Sequence, residues 1–385
     1  MEDLLHLAAK AAEQNIPWEA LEAALSSFAG PMSRTEQYPV YHGEGDVWTH
    51  TKMVCEELVR LDAFPNLPED ARQAVFLAAL LHDIGKVPTT RWEDGRWRSP
   101  RHALTGSKMA RKFLWQQHSL CGTPETQQLR ETVCHLIRWH SVPPHVIDDP
   151  EGKRKLLAIA ANGELCPLFT IELLCLLCEA DARGRKCDDK AQLLEQLDLC
   201  RELAREAGCY HGPFAFPSPH TRYAFLSGRE IPPETALYDH TWGEVLLLSG
   251  LPGTGKDTWI REHCPGLPMI SLDEIRKETG TLPTENQTRV VEIARERARE
   301  LLRKKQPFVW NATNLSPIIR SRQLQLFTQY HARVRVVYLE TPWQEQLLRN
   351  AARPDAVAEP VICRMMEELI PPEPKEAHRV DWYCV

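Results

Sequence analysis

The sequence predicts a protein of more than one domain, with an all-α first half and an α/β second half. At 385 residues the chain is too long for one ordinary hydrophobic core. Its first half contains long apolar stretches with helical spacing, such as residues 74–84. Its second half contains short apolar runs, one of which leads directly into a glycine-rich turn and a helix. Strands that alternate with helices in this way are typical of a mainly parallel sheet.

The composition is that of an ordinary globular protein. Hydrophobic residues make up 43% of the chain and charged residues 26%, and no apolar run approaches the roughly 18 residues that a membrane span needs. The first residues, M-E-D-L-L-H, lack the basic region and cleavage site of a secretory signal. We therefore expect a cytoplasmic protein without membrane contact.

Cysteine usage and net charge exclude two further classes of protein. The twelve cysteines are scattered, and the closest pair, Cys175 and Cys178, lies in an apolar run, which favours buried thiols over a disulfide framework or a zinc ribbon. The formal net charge of −7 argues against a nonspecific coat for nucleic acid, although it permits a local basic groove.

Histidine and aspartate residues recur at the ends of the predicted helices in the first half. His50 lies near the start of one helix, His82 and Asp83 end the apolar helix of residues 74–84, and Asp181 closes another apolar helix. A buried imidazole beside a carboxylate is costly without a partner, and a divalent metal is the partner that suits both groups. The pattern predicts a metal site inside a helical bundle.

This pattern resembles the HD phosphohydrolase superfamily, in which a His, an adjacent His-Asp pair and a distant Asp bind metal. The string Y-H-G-E-G-D-V-W-T-H-T also resembles the HD domain of bacterial tRNA nucleotidyltransferases, and the resemblance covers roughly residues 38–190. It implies an all-α HD-type helical bundle that holds a divalent transition metal such as Mn, Co or Ni, since imidazole-rich sites favour these ions. The implied metal ligands are His50, His82, Asp83 and Asp181.

The resemblance implies further histidines near this site. His102 and His140 match positions at which family members with larger metal sites recruit extra histidines, and the alternative for each is a polar residue at the rim of a cleft. His140 fits the pattern better than His135, and the sequence leaves open whether His42, His135 or His140 joins the site.

Two cationic residues follow the implied metal-binding aspartates. Lys86 and Arg185 are candidates to hold phosphate oxygens during metal-assisted hydrolysis. The alternative interpretation of each is a solvated helix cap.

A Pro-rich connector separates the two halves of the chain. Five prolines, several aromatics and three glycines accumulate between residues 208 and 241, and such a stretch cannot form one continuous helix. We place the first domain at residues 1–225, the connector near 210–240 and the second domain at 241–385.

The second domain begins with the stretch E-V-L-L-L-S-G-L-P-G-T-G-K-D-T-W at residues 244–259. It contains the G-x-x-x-x-G-K pattern of a P-loop, in which backbone N–H groups surround phosphate oxygens and the lysine reaches the β- and γ-phosphates. One position departs from the pattern, because Asp257 stands where a Ser or Thr would bind Mg²⁺. The predicted nucleotide-binding residues are Gly250, Gly253, Thr254, Gly255, Lys256, Asp257 and Thr258.

The order of motifs after the P-loop resembles that of the P-loop 5′-hydroxyl polynucleotide kinases. The strings G-K-D-T-W, D-E-I-R, A-T-N-L-S and R-N-A-A-R follow one another over about residues 244–370. The resemblance implies an α/β P-loop kinase domain with a mainly parallel sheet, which uses Mg²⁺ and ATP or another NTP. Ala312 departs from it, since an acid precedes Thr-Asn in the family's third-strand motif, and Asp257 could supply the missing metal contact.

The same resemblance assigns catalytic roles. Asp273 would orient and deprotonate the attacking 5′-hydroxyl, Arg276 would contact a phosphate of the acceptor, and the lid residues Arg349 and Arg353 would hold the donor phosphates together with Lys256. These roles suit phosphoryl transfer, which depends mostly on positioning and charge stabilisation. The alternatives are a helix N-cap for Asp273 and a solvated helix face for the lid arginines.

A basic track for the acceptor strand is expected next to these residues. Arg320 and Arg322 lie on the predicted helix of residues 318–330, and we expect both to contact nucleic acid together with Arg276.

The two resemblances together match the arrangement of the bacterial bifunctional end-healing enzymes called HD-Pnk. They imply a 5′-hydroxyl polynucleotide kinase joined to a phosphoesterase that removes 2′,3′-cyclic phosphates and 3′-phosphates, which would prepare RNA or DNA ends for a polynucleotide ligase. Two alternatives stay open: a metabolite kinase fused to an HD nucleotide hydrolase, and a non-catalytic nucleotide-sensing RNA-binding protein. The sequence decides neither RNA or DNA preference nor oligomeric state.

Overall fold

The chain divides between Phe214 and Ala215 in the computed structural model, which describes residues 4–11, 16–282 and 284–385. The first unit comprises the residues up to Leu120 together with Glu125–Phe214, and the second comprises Cys121–Pro124 together with Ala215–Val385. Most of the Pro-rich connector thus groups with the second unit, whereas composition alone placed the boundary near residue 225.

Helices form most of the first unit, because its apolar residues recur with helical spacing and bury one face of each helix. A buried ion network joins two of its helices, His102–His118 and Pro124–Trp139, and in it Glu131 accepts hydrogen bonds from Arg111 and Arg130. The helices are α1 (Leu4–Ala11), α2 (Trp18–Ala24), α3 (Ser26–Ser33), α4 (Val47–Arg60), α5 (Glu69–Leu81), α6 (Lys86–Thr89), α7 (His102–His118), α8 (Pro124–Trp139), α9 (Gly152–Ala160), α10 (Ile171–Gly184) and α11 (Lys190–Glu206), with short 3₁₀ turns at Phe64–Asn66, Pro143–His145 and Ala161–Glu164.

Two glycines allow the close approaches that assemble the core of this unit. A Cβ on Gly85 would lie 2.0 Å from the carbonyl oxygen of His102, so the turn after α5 packs directly on the start of α7. A Cβ on Gly184 would lie 2.9 Å from the backbone nitrogen of Val54, so the end of α10 packs directly on α4. Glycine is required where two backbones approach this closely.

The first unit also contains a β-hairpin that the all-α prediction missed. Strand β1 (Arg91–Glu93) pairs antiparallel with β2 (Arg96–Arg98). Asp94 and Gly95, at φ +52° and +75°, form the two-residue turn. Positive φ at both turn residues, with the Asp-Gly sequence, is the commonest signature of a tight hairpin.

A five-stranded, all-parallel sheet lies at the centre of the second unit, with strand order β4-β5-β3-β6-β7. The prediction of a helical bundle followed by an α/β domain with a mainly parallel sheet is therefore confirmed. The strands are β3 (Glu244–Ser249), β4 (Met269–Ser271), β5 (Val309–Asn311), β6 (Arg333–Glu340) and β7 (Arg379–Cys384), of which sequence analysis did not anticipate β7.

The helices of the second unit comprise one that precedes β3, at Pro219–Leu226, and further helices that connect the strands as parallel pairing requires. They are α12 (Pro219–Leu226), α13 (Lys256–His263), α14 (Leu272–Thr279), α15 (Thr288–Arg303), α16 (Pro317–Gln329), α17 (Trp343–Ala351) and α18 (Glu359–Glu368), with a 3₁₀ turn at Pro374–Glu376. The loops that follow β3, β4, β5 and β6 meet at the carboxyl edge of the sheet, where open α/β folds bind their ligands. Among the described residues, none of the helices is both long enough and apolar enough to span a membrane.

Candidate functional site

Asp83 lies at the centre of the histidine and aspartate cluster in the first unit. Its Oδ2 lies 3.2 Å from His82 Nε2 and 3.8 Å from His50 Nε2. Its Oδ1 lies 3.6 Å from His102 Nε2 and 3.9 Å from His140 Nε2. One carboxylate thus faces two pairs of imidazoles, one pair with each oxygen.

The backbone fixes the tautomers of three of these imidazoles. The Nδ1 atoms of His82, His102 and His140 lie 2.8, 2.9 and 2.7 Å from the carbonyl oxygen three residues earlier in the chain. Since a carbonyl can only accept, each Nδ1 carries a proton, and Nε2 is the ring atom directed toward Asp83. His102 Nε2 and His140 Nε2 lie only 3.4 Å apart.

These donors fit a transition-metal centre. His82 Nε2 and Asp83 Oδ1 are buried and have no hydrogen-bond partner, which is costly unless a cation satisfies them. The structure places possible ligands in three groups. Two of them share Asp83, one with His50 and His82 and the other with His102 and His140, and the third contains His42, Glu44 and His50. Imidazole nitrogen with carboxylate oxygen suits a first-row transition metal, and the shared carboxylate offers ligands to two ions.

Asp181 completes the cluster from the last turn of α10. Its Oδ1 lies 3.0 Å from His50 Nε2, because the close approach at Gly184 brings α10 against α4. Arg185 donates to both oxygens of Asp181, at 3.1 and 2.5 Å. Burial alone would raise the pKa of Asp181, but Arg185 and His50 hold it well below its usual range, so the carboxylate is charged.

Lys86 forms an ion pair with Asp83, as Arg185 does with Asp181. Its Nζ lies 2.8 Å from Asp83 Oδ2 and donates to Gln37 Oε1 at 2.7 Å. Burial opposes ionisation of Asp83, but Lys86 and His82 lower its pKa well below the usual range. Both cations predicted to hold phosphate oxygens therefore lie directly beside the carboxylates predicted to bind metal.

The structure also separates the histidines that the sequence left open. His140 is in the cluster, and burial together with the imidazoles of His82 and His102 lowers its pKa to about 3. His135 packs on the ring of Phe169, with centroids 5.3 Å apart, and it belongs to none of the possible ligand groups in the described part of the chain. The ring centroids of His42 and His50 lie 4.9 Å apart, so His42 lies at the edge of the cluster.

In the second unit the P-loop has the backbone that its glycines predict. Gly253 and Gly255 adopt φ +84° and +80°, a region that favours glycine. Lys256 begins α13 and donates to the carbonyl oxygens of Gly250 and Leu251 at 2.9 and 2.8 Å. Burial lowers the pKa of Lys256 to about 8. The buried Thr254 hydroxyl donates to Leu251 O, and Thr258 is exposed.

Asp257 supplies the carboxylate at the expected metal position of the P-loop. Its Oδ1 accepts a hydrogen bond from the Asn311 amide at 2.7 Å, and Asn311 lies at the end of β5, one residue before Ala312. A carboxylate on α13 thus lies beside an amide on the neighbouring strand. Oxygen donors of this kind, together with nucleotide phosphates, suit Mg²⁺.

Asp273 and Arg276 lie in the first two turns of α14, beyond the carboxyl end of β4, and form an ion pair with each other. Ser271, not Asp273, is the N-cap of this helix. The Asp273 side chain is 66% exposed, which leaves it accessible to an acceptor. Its negative charge and the positive charge of Arg353 both act on the pKa of Lys256, so both lie near the P-loop.

Arg349 reaches the P-loop from α17. A Cβ on Gly255 would lie 3.7 Å from Arg349 Nη1, and Arg349 Nη2 donates to Glu345 Oε1 at 2.5 Å. The structure therefore gathers Lys256, Asp257, Asp273, Arg349 and Arg353 around the carboxyl edge of the sheet.

Arg320 is an exception among the predicted nucleic-acid-binding residues. Its side chain is fully buried and makes a two-pronged ion pair with Glu376, with both bonds at 2.7 Å. Its Nη1 also donates to the carbonyl oxygens of Asn314, Leu315 and Ile370. This arginine on α16 joins the loop after β5 to the C-terminal segment, and its buried side chain presents no charge to a nucleic acid strand.

We expect Arg320→Ala to lower stability and Arg322→Ala to affect only nucleic acid binding. Arg320→Ala leaves the buried Glu376 carboxylate unpaired and should lower the free energy of unfolding by about 3–5 kcal/mol. Arg322 is exposed, so Arg322→Ala should change stability by less than about 0.5 kcal/mol and instead reduce the salt dependence of oligonucleotide binding. Denaturant unfolding measures the first effect, and oligonucleotide binding at increasing salt measures the second. An Arg320→Ala protein of unchanged stability would contradict the structural role of Arg320.

Comparison with known proteins supports the division of the chain into two domains. The HD domain model matches residues 47–164 and the AAA domain model AAA_33 matches residues 245–372. A search of curated proteins finds no match. A solved structure from Chloroflexus aurantiacus j-10-fl, described there only as a candidate kinase, aligns with 16% identity and a TM-score of 0.32 over 38% of this chain and 86% of its own. That similarity is too low to carry an argument.

The two domain matches coincide with the two clusters of side chains. The HD match spans most of the metal-ligand candidates, and the AAA match spans the P-loop, Asp273 and the lid arginines. The chain thus joins an HD hydrolase domain to a kinase-like P-loop domain.

Proposed function

We propose that this protein heals broken nucleic acid ends. The P-loop domain transfers the γ-phosphoryl group of an NTP to a 5′-hydroxyl, and the HD domain removes a 2′,3′-cyclic phosphate or a 3′-phosphate. The observation that carries the proposal is that one chain holds both a P-loop and a His/Asp cluster whose donors suit a divalent metal. Ends that carry a 5′-hydroxyl and a blocked 3′ terminus need both reactions before a ligase can join them.

In the kinase reaction the new bond joins the acceptor 5′-oxygen to the γ-phosphorus, and the bond to the β,γ-bridging oxygen breaks. Asp273 accepts the proton of the 5′-hydroxyl, since its carboxylate is exposed at the acceptor side. Lys256, Arg349 and Arg353 offset the charge on the transferring and leaving phosphates. Asp257 would hold Mg²⁺, which would supply further charge stabilisation for the phosphates.

In the hydrolase reaction one water opens the cyclic phosphate, and a second water releases inorganic phosphate and leaves a 2′,3′-diol. A divalent metal bound by the Asp83 cluster would supply Lewis acidity and an activated water. Lys86 and Arg185 keep the aspartate ligands ionised and add positive charge next to the reacting phosphate.

The openness of the acceptor side favours a polynucleotide over a small metabolite. Pockets for small ligands enclose most of the ligand's surface, yet Asp273 is 66% exposed. Arg276, which pairs with Asp273, is only partly buried, and Arg322 on α16 is exposed. An acceptor that extends beyond the terminal nucleotide can use these cations, whereas a mononucleotide cannot.

A series of 5′-hydroxyl acceptors of increasing length tests the proposal. We expect kcat/KM to rise from a nucleoside 3′-phosphate to an oligonucleotide of several residues, with transfer abolished in Lys256→Ala. Equal efficiency with the mononucleotide would favour a metabolite kinase. Absence of transfer to every acceptor by the wild-type protein would favour a nucleotide-sensing module.

A further inference from the structure

Glu44 occupies a position next to the metal cluster that neither the sequence motifs nor the proposed mechanism uses. It lies in the loop between α3 and α4, and its carboxylate is fully buried. Its Oε1 lies 2.8 Å from His42 Nδ1 and 2.9 Å from His50 Nδ1, and its Oε2 accepts a hydrogen bond from the Lys186 backbone N–H at 2.8 Å. Two hydrogen bonds and one further close contact thus converge on one buried carboxylate.

His50 differs from the other three histidines of the cluster in the partner of its Nδ1. His82 and His140 follow the ends of helices α5 and α8, and His102 begins α7 after a loop, so each finds a carbonyl oxygen three residues earlier. His50 lies in the first turn of α4. The unpaired backbone groups at that end of a helix are N–H donors, which cannot orient an imidazole N–H.

We propose that Glu44 is the positioning residue for His50, and that it also ties this ligand to the loop of Arg185. His50 Nε2 donates a hydrogen bond to Asp181 Oδ1 at 3.0 Å and lies 3.8 Å from Asp83 Oδ2. When a metal binds, a proton on His50 Nδ1 would face Glu44, and the Nε2 lone pair would be free for the ion. The contact with Glu44 is at ion-pair distance but is not a well-aligned hydrogen bond. A carboxylate behind a metal-binding imidazole fixes its orientation and makes it a better ligand.

The second half of the proposal rests on the loop that carries Arg185. Lys186 N–H donates to Glu44, and Gly43 N–H donates to Lys186 O at 2.9 Å, so two hydrogen bonds join the two loops. A Cβ on Gly43 would lie 2.9 Å from Lys186 O, which shows how closely the backbones approach. Arg185, the residue before Lys186, binds Asp181. Glu44 therefore connects a metal ligand with the cation beside the other ligand.

This role deepens the proposed phosphoesterase site, but its direct test needs no catalytic activity. Binding of Co²⁺ alone is measured by absorbance in competition with a chromophoric chelator. We expect Glu44→Gln to weaken Co²⁺ binding about 10- to 100-fold. The uncharged amide stabilises the His50 N–H less well, and with its oxygen toward the histidines its NH₂ group would face the Lys186 N–H, so that two donors meet. The exposed Glu36 provides the matched control, and Glu36→Gln should bind Co²⁺ like the wild type.

Two further variants separate positioning from general damage. His42→Ala keeps the contacts of Glu44 with His50 and Lys186, so its Co²⁺ affinity should stay within about threefold of the wild type. Glu44→Asp keeps the charge and should recover part of the affinity lost in Glu44→Gln, with unchanged kinase activity in all variants. Wild-type Co²⁺ affinity in Glu44→Gln would overturn the proposal, and so would an equal loss in His42→Ala, which would indicate that His42 is itself a ligand.

The same measurements distinguish this proposal from the proposed function. If the wild-type protein binds Co²⁺ and Glu44→Gln binds it weakly, the positioning role stands even if neither protein hydrolyses a 2′,3′-cyclic phosphate. If cyclic phosphate is hydrolysed equally by both proteins with equal Co²⁺ affinity, the proposed function stands and the role of Glu44 is wrong.

Discussion

Replacement of Asp83 by Asn should abolish hydrolysis of 2′,3′-cyclic phosphates and 3′-phosphates while the kinase reaction continues. Both oxygens of Asp83 face imidazoles within 4 Å, so the loss of its charge removes the ligand that the two groups share. Metal-ion catalysis contributes several kcal/mol, and we therefore expect a loss of at least about 10³-fold in rate. Phosphate release and 5′ phosphorylation are measured on the same preparation.

The metal requirement provides the control for this prediction. His82→Ala removes a ligand without leaving Lys86 unpaired, and it should cause the same loss of hydrolysis and of bound metal. Chelation of the wild-type protein should also stop hydrolysis, and Mn²⁺, Co²⁺ or Ni²⁺ should restore it better than Mg²⁺, because the site offers imidazole nitrogen. A folded Asp83→Asn protein that hydrolyses at the wild-type rate would show that the cluster is structural.

Replacement of Asp273 by Asn should abolish 5′ phosphorylation and leave hydrolysis intact. The carboxylate lies past the end of β4, near Lys256 and exposed to an acceptor, and loss of a general base typically lowers the rate by about 10²- to 10⁴-fold. Initial rates with a 5′-hydroxyl oligonucleotide and saturating ATP measure the loss in kcat.

Glu274 is the matched control for Asp273. It is the next residue on α14 and is also exposed, so Glu274→Gln should retain the wild-type kinase rate and exclude a general effect of lost negative charge on the helix. Equal rates in Asp273→Asn and in the wild type would remove Asp273 from the catalytic machinery.

The motifs that combine local sequence with special backbone geometry could be predicted. The P-loop needs its glycines at positive φ and its lysine on the following helix, and the structure has both. The turn H-D-I-G-K also combines local sequence with special geometry. Its Gly85 allows the close contact with α7 that brings His102 to Asp83. The hairpin at residues 91–98 also carries an Asp-Gly turn signal, but its strands are only three residues long and lie between helices.

Roles that depend on distant partners could not be predicted. On α16, Ile318 and Ile319 are 69% and 46% exposed while Arg320 is fully buried, the reverse of what hydrophobicity favours. The reason is Glu376, a partner 56 residues further along the chain. Glu44 was missed for the same reason, since its contact with Lys186 spans 142 residues.

One RNA with a 5′-hydroxyl and a 2′,3′-cyclic phosphate tests the central claim most directly. The wild-type protein, supplied with ATP, Mg²⁺ and Mn²⁺, should convert it to a product with a 5′-phosphate and a 2′,3′-diol, as resolved by mass spectrometry. Asp83→Asn should yield only the 5′-phosphorylated RNA with its cyclic end, and Asp273→Asn only the 5′-hydroxyl RNA with a diol. An RNA left unchanged by the wild-type protein, or one on which either single variant loses both reactions, would contradict the account.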